Sequence, residues 1–154
     1  MIDLNTRIVV GRVMSERMTT DIVVSALEVV RRRGYVAEGD IFRSDRDSQY
    51  TSRLLASWAR ENDVRLSCGR TGSCHDNAVA ESFFAILRNE MYYRRSFATR
   101  GEARFTVIGF IESYYNCRSP HSTIGYRVPA DVMDEFFERF ESALSESREV
   151  LRAA

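Results

Sequence analysis

Ile41-Phe42-Arg43-Ser44-Asp45-Arg46-Asp47-Ser48-Gln49-Tyr50-Thr51-Ser52-Arg53-Leu54-Leu55-Ala56-Ser57-Trp58-Ala59 changes character twice within nineteen residues. Ile41–Ser44 is a short strand, and residues 45–50 form a polar loop at its C-terminal end. Thr51 or Ser52 then caps a helix, with Leu54, Leu55, Trp58 and Ala59 as its expected buried stripe. Val64–Ser67 follows as another strand. Strand, helix and strand in succession predict an α/β domain.

Working outward, Arg7–Met14 (RIVVGRVM) is short and β-branched, which predicts a strand. Thr19, Thr20 or Asp21 caps a helix to about Arg33, with apolar residues 23, 26, 27 and 30 on one face and Gly34 as its stop. On the other side, Cys68–His75 carries Gly69 and Gly72 and predicts a loop. Asp76 or Asn77 caps a helix through about Glu90 that buries Val79, Phe83, Ile86 and Leu87. Thr99–Tyr115 is a further amphipathic helix, ended by the turn around Pro120. Pro129 opens a last helix to about Phe140, and the acidic residues 141–154 are expected to fray as a tail. The expectation is one domain over residues 1–140, α/β with a helical C-terminal part.

Composition sets limits. With 44% hydrophobic and 29% charged residues and 2 prolines, collagen-like and low-complexity classes are excluded. The apolar run from Ile22 to Val30 is broken by Ser25 and Glu28, so no span and no membrane partner is expected. Met1–Asn5 lacks the basic-then-apolar signature of a signal peptide, which predicts a soluble intracellular protein. Cys68, Cys74 and Cys117 do not form a disulfide scaffold. The five residues between Cys68 and Cys74 favour small buried side chains over a zinc pair. All 22 basic residues are arginine, against 22 acids; residues 1–130 carry +4 and residues 131–154 carry −4. Codon bias accounts for that arginine usage, and so, with less weight, do phosphate contacts.

Two carboxylates stand out by placement. Asp45 follows a strand at the end where open α/β sheets gather ligands, and Glu81 lies about one turn into a later helix, with 35 residues between them. Two such groups can meet around a hard divalent cation. Taken singly, each is also an ordinary solvated residue, and spacing alone leaves both readings open.

The surrounding words resemble the transposases of bacterial insertion sequences with a retroviral-integrase-like catalytic core. They are Ser44-Asp45-Arg46-Asp47-Ser48-Gln49-Tyr50-Thr51-Ser52, then Gly72-Ser73-Cys74-His75-Asp76-Asn77-Ala78-Val79-Ala80-Glu81-Ser82-Phe83-Phe84. The likeness continues through Phe97-Ala98-Thr99-Arg100-Gly101-Glu102-Ala103, Tyr115-Asn116-Cys117-Arg118-Ser119-Pro120-His121-Ser122 and Ile124-Gly125-Tyr126-Arg127-Val128-Pro129-Ala130. The resemblance implies a ribonuclease-H-like mixed sheet with flanking helices. It also implies an Asp, Asp and Glu triad holding two divalent ions, Mg²⁺ or Mn²⁺. Asp45 matches the second aspartate and Glu81 the glutamate. The implied chemistry is in-line attack on a DNA phosphodiester by water or a 3′-hydroxyl. The implied partners are DNA (element ends and target) and a second copy or a full-length transposase. The implied place is the bacterial cytoplasm, at the nucleoid when DNA is bound.

Some positions depart from the family pattern. Arg43 stands where the family usually has His, and Asp47 where it usually has Gly. The family's first aspartate precedes the strand matched by Arg7–Met14, so the chain is expected to be an N-terminally truncated core without it. Asp3 matches a non-ligand position. On that footing the sheet is expected to expose an edge, the metal to be weakly held or absent, and the isolated chain neither to nick nor to join DNA. The competing reading is an inert fragment that only binds DNA or transposase partners. Candidate DNA contacts are Arg46, Ser48, Gln49, Tyr50, Asn77, Arg94, Arg95, Arg118 and His121. Asp76 and Asn77 read equally as a helix cap and as active-site residues, and Trp58 reads as core rather than as a stacking platform.

Overall fold

The computed structural model describes residues 1–16, 19–45, 47, 50–68 and 78–153. They form two compact units, Met1–Ile2 with Val9–Arg104 and Asp3–Ile8 with Phe105–Ala154.

In the first unit, α1 (Thr20–Arg32) buries Ala26, Leu27 and Val30 along one stripe. It ends as expected at Gly34, whose φ of +79 suits a residue without a Cβ. The Gly34 N–H donates to the Arg31 carbonyl at 2.9 Å and that of Tyr35 to the Val30 carbonyl at 3.1 Å, which satisfies two end carbonyls of the helix. The strands β1 (Ile41–Ser44) and β2 (Arg65–Cys68) pair in parallel, Ile41 opposite Arg65 and Ser44 opposite Cys68. Between them runs α2 (Arg53–Glu61), capped by the Ser52 side chain, which accepts from the Leu55 N–H at 3.2 Å.

Leu27, Leu55, Trp58, Ala59 and Val64 form the buried core of this unit, and Phe42 and Leu66 from the two strands pack against it. The Trp58 indole N–H donates to the Glu28 carboxylate, so burial leaves that donor satisfied. Leu54, expected in the stripe, is 46% exposed. At about 100° per residue it falls roughly 90° from the centre of the Leu55–Trp58–Ala59 face.

Arg7–Met14 does not form the expected strand. The Asp3 carboxylate accepts from the Thr6 N–H at 2.6 Å, the Thr6 hydroxyl at 2.7 Å and the Asn5 N–H at 3.1 Å, which closes a turn. Arg7 leaves that turn at a φ of +67, a left-handed conformation no strand tolerates. One antiparallel bridge, Ile2 to Val9, is the only pairing this stretch makes among the described residues. The sheet is therefore two-stranded there. The architecture shown is α/β with a small parallel sheet and much helix.

Beyond the sheet, α3 (Ala78–Glu90) buries Phe83, while Val79, Ile86 and Leu87, expected to be buried, are half-buried. The expected loop over 69–75 and the caps Asp76 and Asn77 lie outside the described residues. The single helix expected over 99–115 is three segments. These are α4 (Arg100–Gly109), a wider π turn over Phe110–Tyr115, and α5 (Asn116–Arg118). The π turn puts Ile111 and Tyr115 together in the interior of the second unit.

The last helix, α6 (Pro129–Ala153), continues past Phe140 where fraying was expected. Residues 141–153 contain no glycine or proline, and the Ser142 and Ser145 hydroxyls donate to carbonyls one turn back, at 2.9 and 3.0 Å. Cys68 and Cys117 are exposed rather than buried. Cys68 ends β2, and the Cys117 thiol donates to the Glu112 carbonyl at 3.0 Å. Among the described residues, no helix is long and apolar enough to cross a membrane.

Candidate functional site

Parallel pairing brings the C-terminal ends of β1 and β2 side by side, with Ser44 opposite Cys68. Asp45 is the first residue beyond β1 and is exposed. Its carboxylate accepts from the Asp47 N–H at 3.2 Å, and the Ser44 hydroxyl donates to its carbonyl at 3.0 Å. The turn closes when the Tyr50 N–H donates to the Asp47 carbonyl at 2.9 Å. This local bonding holds the Asp45 carboxyl at a strand end while leaving it open to solvent.

Tyr50 is half-buried, its ring 6.2 Å from that of Phe42. Burial raises its phenol above the ordinary tyrosine value, and the negative charges of Asp45 and Asp47 raise it further.

Glu81 lies in the first turn of α3, in the same unit as Asp45, and is exposed. It makes no hydrogen bond or ion pair with a described residue. A carboxylate near a helix N-terminus is favoured by the helix dipole. Asp45 and Glu81 together offer hard oxygen donors, the chemistry Mg²⁺ and Mn²⁺ select. Among the described residues, no group of three or more His, Cys, Asp or Glu side chains is gathered to hold a metal. Asp3 is engaged in its own turn, its carboxylate accepting three hydrogen bonds from Asn5 and Thr6.

The remaining sequence candidates divide by location. Arg46, Ser48, Gln49 and Asn77 lie outside the described residues. Arg94 and Arg95 follow α3 and are exposed. The Arg94 guanidinium donates to the Asn89 carbonyl at 2.9 Å and pairs with Glu90 at 3.4 Å. Arg118 is exposed at the end of α5, in the second unit.

His121, also in the second unit, packs edge-on against Tyr115, with ring centroids 4.7 Å apart. Burial, and then the charge of Arg7, lowers its pKa below the ordinary histidine value. Burial likewise raises the Tyr115 phenol to about 12, against a lowering from Arg7. The Nε atoms of Arg7 and His121 are buried without a hydrogen-bond partner among the described residues. Charge counting selects Arg94 and Arg95 in sequence but passes over Tyr92 and Tyr93 beside them, which are 54% and 68% exposed. Aromatic exposure is set by packing and leaves no trace in composition.

Two family models, both described as integrase core domain, match residues 1–74 and 62–129. The chain is 35% identical over 141 residues to a transposase for insertion sequence element IS904 of Lactococcus lactis, covering 92% of this chain and 54% of the relative. It is 33% identical over 136 residues to an insertion element IS600 uncharacterized 31 kDa protein of Shigella sonnei, covering 88% and 50%. It is 36% identical over 125 residues to transposase InsF for insertion sequence IS3A of Escherichia coli K12, covering 81% and 43%. The chain spans about half the length of the curated relatives it matches.

Proposed function

The chain belongs to the insertion-sequence transposases with an integrase-like core, and we propose that it contributes the catalytic core for metal-dependent phosphoryl transfer at DNA. The observation that carries this reading is the pair Asp45 and Glu81. Both are exposed, one ends β1, the other opens α3, and 35 residues separate them within the matched region. The finer fold reading, a ribonuclease-H-like sheet extended beyond the two described strands, belongs to the same proposal.

Asp45 and Glu81 would hold a divalent cation, Mg²⁺ or Mn²⁺. When bound, such ions stabilise the charge on the entering and leaving oxygens of an in-line displacement. The residues of the chain supply orientation. The turn bonds through Asp47 and Ser44 fix Asp45, and the first turn of α3 fixes Glu81. DNA is the proposed substrate, as element ends and target, and a second copy of the chain or a full-length transposase the proposed protein partner. Arg46, Ser48, Gln49, Tyr50, Asn77, Arg94, Arg95, Arg118 and His121 remain the proposed DNA contacts.

The test is cleavage and joining of labelled DNA with Mg²⁺ or Mn²⁺, in which no cleavage by the unmodified chain would favour the competing reading of an inert fragment over this proposal. Either Asp45→Asn or Glu81→Gln should cost on the order of 10³-fold or more in rate, with metal-free DNA binding retained. Cleavage that survives either substitution contradicts the proposal.

A further inference from the structure

At the end of α3 the chain turns sharply, with the Met91 N–H donating to the Leu87 carbonyl at 3.2 Å and the Arg94 N–H to the Met91 carbonyl at 3.3 Å. Met91 is buried and anchors this turn, whereas the two residues that follow it face water. Tyr92 and Tyr93 are 54% and 68% exposed, with ring centroids 5.9 Å apart. Phe97 closes the cluster, its centroid 6.0 Å from that of Tyr92 and its plane tilted by 32°. Three rings gathered at one exposed turn form an apolar surface that asks for a ligand with a flat face.

The charge around the rings says which ligand. Residues 84–104 carry Arg88, Arg94, Arg95, Arg100 and Arg104 against Glu90 and Glu102, and Arg100 pairs with Glu16. Arg95 is exposed and makes no ion pair with a described residue. Arg94 pairs with Glu90, but with side chains 66% and 41% exposed, a contact weak enough to exchange for a phosphate. Arginine beside exposed aromatic rings is the composition of a single-strand nucleic-acid surface: rings stack on bases and guanidinium groups meet the backbone. Bases inside a duplex present their faces to one another, and at a blunt end only one face of a paired base is open, so an unpaired base is the one free to enter between the rings.

We propose that Tyr92, Tyr93 and Phe97 form a stacking platform for an unpaired nucleobase at a DNA end, with Arg94 and Arg95 contacting the adjacent phosphates. The platform rests on the reading of the chain as a DNA-acting core and adds to it a site for the unpaired end of a strand.

The experiment measures binding of the purified chain to a blunt duplex and to the same duplex carrying a short single-stranded extension with 2-aminopurine. The unmodified chain is expected to favour the extended DNA about tenfold and to quench the 2-aminopurine on binding. Tyr92→Ala with Tyr93→Ala erases both effects, Tyr92→Phe with Tyr93→Phe keeps both, and Arg95→Gln weakens binding to the two DNAs alike. Both tyrosines are exposed, so the variants should melt within a few degrees of the parent, and the Phe pair controls for folding. Equal affinity for the two DNAs, a preference that survives the alanine pair, or a preference lost in the phenylalanine pair overturns the platform. In the first of these results, retained duplex binding leaves the reading of a DNA-acting core standing. Failure to bind either DNA overturns both.

Discussion

Tyr50 is the residue that reports on Asp45. Its phenol is raised first by burial and then by two neighbouring anions, Asp45 and Asp47. The sign follows directly, since a nearby negative charge disfavours the phenolate. Asp45→Asn should lower the Tyr50 pKa toward the ordinary tyrosine value without reaching it, because burial, the larger cause, remains. Ultraviolet titration of the variant against a Tyr50→Phe reference reads this; an unmoved Tyr50 would contradict the proximity. Residues whose task is local were legible in sequence. Ser52 caps α2 and Gly34 stops α1 because each is set by backbone bonds a few residues away. Leu54, Cys68 and Cys117 were not, since their exposure depends on which face of an element meets the core. Asp45 and Glu81 stood out by placement, one just past a strand and the other one turn into a later helix, with 35 residues between them.

Among the elements, the contact of the opening segment with α1 has a measurable consequence. A Cβ on Gly11 would lie 2.2 Å from the Val30 Cγ2 atom, and Val30 is buried within the stripe of α1. Gly11→Ala should therefore cost about 1–3 kcal/mol by overpacking, read as a lowered melting temperature. A Gly11→Ala chain as stable as its parent would contradict this packing. The strand misread over 7–14 shows why propensity failed there. β-branched residues form a strand only when a neighbour supplies the ladder, and here the Asp3 turn and the positive φ of Arg7 divert the chain first. The π turn at Phe110–Tyr115 was equally invisible, because a helical period does not reveal where one residue is added to a turn. In α6 the helix outran the expected end at Phe140, since acidity alone does not break a helix that lacks glycine and proline.

At the scale of the whole molecule, the charge runs from +4 over residues 1–130 to −4 over residues 131–154. Of the 22 arginines, 19 lie in the part that carries Asp45 and Glu81. The order of elements β1, α2, β2 and α3 was readable from the alternation of short apolar runs with capped helices. The extent of the sheet was not, because strand partners are chosen over long sequence separations. Asp45 and Glu81 are proposed to act as one site. Calorimetric titration of the chain with Mn²⁺ tests it, comparing the parent with Asp45→Asn, Glu81→Gln and the double variant. Two ligands of one ion are coupled, so their losses are not additive. Each single substitution should weaken binding about tenfold or more, and the double variant should bind no more weakly than the worse single. Unchanged Mn²⁺ affinity in Glu81→Gln, or losses that simply add, would contradict a shared site.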